Sequence, residues 1–222
     1  MGELFDVFIG FLQSFLTIFY QFSTAIGMPN YGVAIILMTI VIKVLLYPLT
    51  VKQVKSMKAM QDLQPKVKKI QEKYGKKDPQ RMQQEMAALY KEAGVNPVAG
   101  CLPLIAQMPL LIGIFYAIRD YTYLNTPSFF WIQNLSEADP TYFLPILSAV
   151  TIYIQQKQTM STGSDANQQA KIMMYMMPLF IGYISLTFPA GLVLYWAMSN
   201  IMQIIQQWWM YRSDEGQKKG VA

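Results

Sequence analysis

The chain has 222 residues, 53% of them hydrophobic and 14% charged, with a formal net charge of +5. A soluble domain ordinarily carries about 25% charged residues, and here most charges crowd between residues 52 and 92, leaving long stretches almost bare. A single cysteine, Cys101, excludes a disulfide framework within the chain, and the absence of histidine removes the commonest general base and metal ligand.

The N-terminus carries Glu3 and Asp6 and no basic residue, the reverse of a secretory signal. Asp6 also breaks the pattern for N-myristoylation. Residues 1–27 are rich in Phe with polar residues at wide spacing, which suits either an amphipathic helix lying in the membrane interface, the favoured reading, or an additional span. Gly27, Pro29, Asn30 and Gly32 then interrupt the pattern.

About 20 apolar residues span a bilayer as a helix. Five spans are expected, over about residues 33–49, 98–118, 142–156, 172–187 and 192–211. Pro103, Pro109 and Pro178 fall inside them, which membrane helices tolerate when neighbours satisfy the freed carbonyls. Lys and Arg in the connections number sixteen on one alternating side and one on the other. By the positive-inside rule the N-terminus lies outside and the C-terminus in the cytoplasm.

The connection between spans one and two, residues 51–96, reads as a helical hairpin rather than a loop. Val54, Met57, Met60, Leu63, Val67 and Ile70 recur at spacings of three and four. Pro65 would kink or restart that helix, and Gly75 suits its C-cap. Asp78 and Pro79 then form an N-cap and a first-turn proline for a second helix over 80–92, closed by Gly94 and Asn96-Pro97. Lys52, Lys55, Lys66, Lys69, Lys73, Lys76, Lys77 and Arg81 make this hairpin strongly basic. Such a surface fits a topology signal, contact with anionic lipid headgroups, or contact with ribosomal RNA or an acidic substrate segment. Residues 213–222 form a short basic tail.

Lys43 is the one formal charge inside the five expected spans. An intramembrane cation is costly and usually faces the bundle interior or a watery cavity. Snorkelling is the plain alternative, since Pro48 is five residues on, roughly 7.5 Å along the helix. In the fifth span Trp196, Asn200, Gln203 and Gln207 fall at offsets of four, three and four, drawing one polar stripe flanked by Ser199 and Gln206. Gln107, Gln155 and Gln156 add amides in spans two and three. One cation, several amides and no carboxylate describe a wet groove better than a dry core. Ordinary interhelical hydrogen bonding is the plain alternative for the amides. Sixteen methionines, including Met173, Met174, Met176 and Met177, suit surfaces that accept varied apolar partners, although any one of them is more simply core filling. Rival functions are a small transporter or channel, disfavoured by the lack of repeats and membrane carboxylates, and a passive assembly scaffold, disfavoured by the polar stripe.

Three separated motifs, IKVLLYPLTVKQVKSMKAMQDLQPKVKKIQEKYG, QEMAALYKEAGVNPVAGCLPLIAQMP and FPAGLVLYWAMSNIMQIIQQ, resemble the core of the YidC-type membrane protein insertases, a family shared with mitochondria and chloroplasts. The resemblance covers about residues 30–212 and lacks the large extracytoplasmic domain of some bacterial members. It implies an all-α membrane protein, with five transmembrane helices, a cytoplasmic helical hairpin and an N-terminal interfacial helix; residues 28–212 would be the core. It implies a hydrophilic groove open to the cytoplasm and to lipid, closed on the outer side. It carries groove roles to Thr39, Lys43, Tyr47, Gln107, Tyr195, Trp196 and Asn200, beside Gln203 from the stripe. Lys43 stands where the family usually has arginine, keeping the charge but not the planar fork. The implied protein is no enzyme and needs no cofactor or metal. It sits in a bacterial cell membrane, its partners being nascent membrane proteins and the bilayer, with the ribosome and a Sec translocon as candidates and DNA excluded.

Overall fold

The computed structural model describes residues 2–75, 77–95, 102–159 and 168–219. Among these there is no strand and there are eight helices: α1 (Gly2–Ala25), α2 (Tyr31–Leu45), α3 (Tyr47–Tyr74), α4 (Pro79–Glu92), α5 (Leu102–Arg119), α6 (Phe143–Thr159), α7 (Gln168–Ser185) and α8 (Ala190–Lys219). The expected basic tail is therefore helical through Lys219, as a continuation of α8. Lys76 of the hairpin, and the Asn96-Pro97 stop, lie outside the described residues.

Local chemistry sets most ends. Asn30 takes an extended backbone, and its side-chain oxygen accepts from Gly32 N at 2.8 Å and Val33 N at 3.2 Å, starting α2. Asp78 caps α4 by accepting from Arg81 N at 3.0 Å, with Pro79 in the first turn. Gly94 closes the hairpin at φ +64, in the left-handed region that suits glycine. Gly75 is the C-cap of α3, as expected, in a right-handed conformation at φ −49.

The first expected span, through residue 49, is not one straight helix: α2 ends at Leu45, and α2 and α3 meet at a 65° bend. Pro48 sits in the first turn of α3, where a missing N–H leaves nothing unsatisfied. From there α3 runs unbroken to Tyr74 with Pro65 inside it, so the hairpin's first helix begins at residue 47 rather than 52. Its apolar row is partly buried: Val54, Met57 and Leu63 are covered, and Met60, Val67 and Ile70 are half-buried.

α8 is the central helix, packed against α6 and α2; α7 lies on α6, and α1 crosses α2 and α5. Leu12, Leu16, Ile35, Met38, Ile114, Ile118, Leu192, Val193 and Tyr195 form the core where α1, α2, α5 and α8 meet. Gly182 brings α6 and α7 together: a Cβ there would meet the Ala149 methyl at 3.0 Å. Among the described residues, only α1 is by itself long and apolar enough to cross a membrane, and the bent α2–α3 pair passes jointly. The apolar parts of α5 and α7, Gln107–Arg119 and Met174–Ser185, are shorter. The exposed face of α1 is apolar, with Leu4, Val7, Phe11, Ile18 and Phe22, while Gln13 and Thr17 turn inward to Ala117 O and the Tyr121 hydroxyl.

The end of the bundle away from the hairpin is sealed. Tyr31 stacks on Tyr20 at 4.0 Å between ring centroids and meets Tyr121 and Tyr123 edge-on. Its hydroxyl accepts from Leu124 N at 3.1 Å. Burial pushes the Tyr123 phenol up to about 12. The connection over residues 120–142 folds across this end, with Phe129 and Ile132 exchanging backbone hydrogen bonds of 2.8 Å. The Leu135 and Glu137 carbonyls accept from Gly191 N at 2.8 Å and Ala190 N at 2.6 Å, satisfying the start of α8.

Asp139 ties the same connection to α6. Its carboxylate accepts from Leu144 N at 2.8 Å, Thr141 N at 2.9 Å and the Thr141 hydroxyl at 2.7 Å. Burial pushes this carboxyl up, but those hydrogen bonds outweigh it and hold it below its ordinary 3.8. A depressed carboxyl stabilises the fold above its unfolded value and loses that contribution as pH falls through the lower folded one. Thermal unfolding should therefore show a loss of stability on acidification below about pH 4. Asp139→Ala should reduce that dependence and cost about 1–2 kcal/mol, as removing a carboxylate that caps backbone N–H groups usually does.

Candidate groove between α2, α6 and α8

Lys43 lies in the last turn of α2 and is 8% exposed. Its ammonium donates to Gln203 Oε1 at 3.2 Å. One turn on, the Gln206 amide donates to the Lys43 backbone carbonyl at 3.2 Å, close to where α2 ends and its carbonyls lack helical partners. The cation and two glutamines of α8 thus form one cross-helix arrangement. No ion pair involves Lys43 among the described residues, and residues 31–45 and 190–211 contain no Asp or Glu. Snorkelling into open solvent does not describe a lysine this covered.

Toward the sealed end, the Asn200 amide donates to Thr151 Oγ1 of α6 at 3.5 Å, and the Gln107 amide of α5 donates to the Tyr195 hydroxyl at 2.9 Å. Asn200, Gln203, Gln206 and Gln207 are all buried. Several buried oxygens, Gln206 Oε1, Gln207 Oε1, Gln156 Oε1 and Ser148 Oγ, have no hydrogen-bond partner among the described residues. A buried acceptor left without a partner costs about 1–3 kcal/mol, so four of them on α6 and α8 call for water or another polar guest.

The expected site residues separate into groups. Lys43 and Gln203 meet directly, as do Gln107 and Tyr195. The Thr39 hydroxyl is buried and donates to Ile35 O of its own helix at 2.7 Å. Trp196 is half-buried. Tyr47, just past the bend, packs against Trp209, with ring centroids 6.3 Å apart. Within the hairpin, Lys52, Lys55, Lys66, Lys69, Lys73, Lys77 and Arg81 are exposed, and Lys73 and Arg81 lie over the Tyr74 ring at 4.9 and 5.4 Å. Sequence reasoning passed over Ser148 and Thr151 of α6 and Thr50 and Gln53 of α3, all buried. The signal for the first two was present, since Ser148, Thr151 and Gln155 recur at three and four.

The family model described as 60Kd inner membrane protein matches residues 21–218. The chain belongs to this family, that of the YidC-type insertases. Bacillus subtilis membrane protein insertase MisCA is 46% identical over 180 residues, covering 80% of this chain and 69% of that one. The membrane protein insertase YidC of Actinobacillus pleuropneumoniae serotype 3 is 48% identical over 193 residues, 86% of this chain. This chain spans only 35% of the Actinobacillus insertase. Membrane protein insertase YidC 2 of Bacillus anthracis is 45% identical over 182 residues, covering 81% of this chain and 71% of that one. A solved crystal structure of an active YidC insertase, with its first transmembrane domain resolved, superposes with a TM-score of 0.70. It is 30% identical and covers 90% of this chain and 45% of that one. The relatives named here are bacterial membrane protein insertases, and the family's activity is chaperone-like and non-enzymatic.

Proposed function

We propose that this chain inserts nascent membrane proteins into a bacterial cell membrane through a hydrated groove whose floor is Lys43. Five segments cross the bilayer: α2 with the start of α3, then α5, α6, α7 and the first two thirds of α8. The hairpin of α3 and α4 lies in the cytoplasm, the sealed end faces outward, and α1 rests at the outer interface with its apolar face in lipid.

The observation that carries this reading is the covered, acid-free setting of Lys43 beside amide oxygens that no group among the described residues satisfies. Charges in hydrocarbon are costly, so a polar segment crosses more easily where water and amides reach partway through. Lys43 attracts acidic residues of that segment; at about 4 Å and an effective dielectric near 20 the pair interacts by roughly 4 kcal/mol before desolvation. The apolar part of the substrate leaves sideways along α2 and α8 into lipid. Hydrophobic transfer, with the membrane potential, drives the step.

The test is insertion in cells of a small single-span substrate with an acidic external segment. Lys43→Ala and Lys43→Glu should lower insertion by about tenfold or more, a loss of at least ~1.4 kcal/mol, while Lys43→Arg keeps it. Full activity of the glutamate variant removes the charge from the mechanism. Photocrosslinking from position 200 to the nascent chain separates insertion from passive scaffolding.

A further inference from the structure

The hydrogen-bond ladder of α2 ends where Leu46 N donates to Ile42 O at 2.9 Å, and that of α3 begins where Thr50 N donates to Leu46 O at 2.9 Å. The carbonyls of Lys43, Val44 and Leu45 fall between the two ladders. In a straight helix they would accept from residues 47, 48 and 49. Pro48 has no N–H to give. The Gln206 amide of α8 takes the first of the three, the Lys43 carbonyl, at 3.2 Å. Gln206 is buried and its own oxygen has no partner among the described residues, so this bond is what places the side chain. Gln203, three residues earlier on the same face of α8, accepts from the ammonium of the same lysine at 3.2 Å. One residue is thereby held at both its backbone and its side-chain end, beside the point where the chain turns by 65°.

We propose that Gln206 is a positioning residue, which stands in for the Tyr47 N–H at the Lys43 carbonyl, clasps α2 to α8 at the bend, and so fixes both the place of the Lys43 ammonium in the groove and the direction in which the hairpin leaves the bundle. A carbonyl at a helix break needs a partner where bulk water is kept out. An N–H from the following turn would satisfy it only by carrying the helix straight on through residue 46. A side chain from a neighbouring helix satisfies it with the bend kept, and ties that bend to the helix bearing the groove's amides. The functional half of this inference rests on the role given to Lys43 above; the geometric half stands without it.

The test reads a distance and an insertion rate on the full chain. With Cys101 replaced by Ser, spin labels are attached through Lys66→Cys on α3 and Ile146→Cys on α6, both exposed positions, and the protein is placed in lipid vesicles. The arm from the bend to residue 66 is roughly 30 Å, so each 10° of opening moves the label by about 5 Å. Gln206→Leu should shift the distance by about 5 Å or more, on the same arm. Gln203→Leu, which gives up the ammonium and leaves the carbonyl held, should keep the parental distance. An unmoved distance in Gln206→Leu, or the same shift in both variants, would overturn the clasp. Insertion of the acidic single-span substrate in cells should fall about fivefold in Gln206→Leu, the usual weight of one neutral hydrogen bond, and should change little when Lys43→Ala is already present. An equal fall in both backgrounds would mean that the glutamine acts apart from the lysine and would overturn the positioning role. Should Lys43→Ala itself insert at the parental rate, the reading of the lysine fails alone, and the distance still decides the clasp.

Discussion

Gln203→Glu should leave the chain folded and at least as heat-stable, yet lower insertion of an acidic substrate by more than tenfold. The Gln203 oxygen is 3.2 Å from the Lys43 ammonium, and the substitution puts a carboxylate in that place with almost no change of shape. A charge pair at this range gains roughly 4 kcal/mol at an effective dielectric of 20, set against the desolvation of a new anion in a covered site. Stability can therefore rise or hold. The cation, however, is now neutralised from within, and an incoming acid meets a filled partner. Gln203→Leu gives the contrast, because it strips the hydrogen bond, leaves Lys43 charged, and should lower stability by about 1–3 kcal/mol. Melting curves with insertion rates on the same preparations separate the two. A glutamate variant inserting at the parental rate would mean that the free charge of Lys43 does no work.

Gly32→Ala should lower stability by about 3 kcal/mol, at the upper end of ordinary overpacking. A Cβ at this position would overlap the Phe129 ring, which lies directly on the first turn of α2. The residue is held on both sides. Asn30 accepts from Gly32 N, and the Asn30 amide donates to Ser128 O at 2.9 Å, so helix and loop cannot part without breaking both. Phe129→Ala should relieve part of the clash, giving a coupling of about 1 kcal/mol or more in a double-mutant cycle of melting temperatures. Simple additivity of the two losses would show that the ring and the glycine do not in fact meet.

What could be read from the chain, and what could not, follows from how local the cause is. The α4 start is fixed by Asp78 and Pro79 acting on their own next turn, and it appears where those residues place it. The bend at Leu46 has no such marker. Pro48 sits where a helix begins as readily as where it ends, and the apolar run passes through Leu45, Leu46 and Leu49 without a break. Pro65 allowed a kink or a restart, and α3 continues through it without restarting. In the groove, Lys43 and the α8 stripe were legible because a charge and repeated amides are conspicuous against apolar neighbours. Thr151 and Ser148 share such a spacing with Gln155 but stand out less, because a hydroxyl can bond its own helix, as Thr151 does to Ser148 O at 2.9 Å, and so sits cheaply in any apolar span. That Thr151 also accepts from Asn200 depends on how α6 packs on α8, which no single segment encodes.

The tyrosine cluster around Tyr31 has an electrical side. If, as proposed, the groove meets the cytosol as deep as Lys43, the inner half of the protein would act as a conductor, and the insulating layer would shrink to the stacked rings and the loop across them. A voltage drops where the insulator is, so the resting potential of the cell, about 2.3 kcal/mol per unit charge for each 100 mV, would fall over the distance from Lys43 to that cap instead of over the whole bilayer. An acidic residue held at Lys43 would then feel nearly all of the outward pull over a short final path, and the rings would keep small ions from draining it.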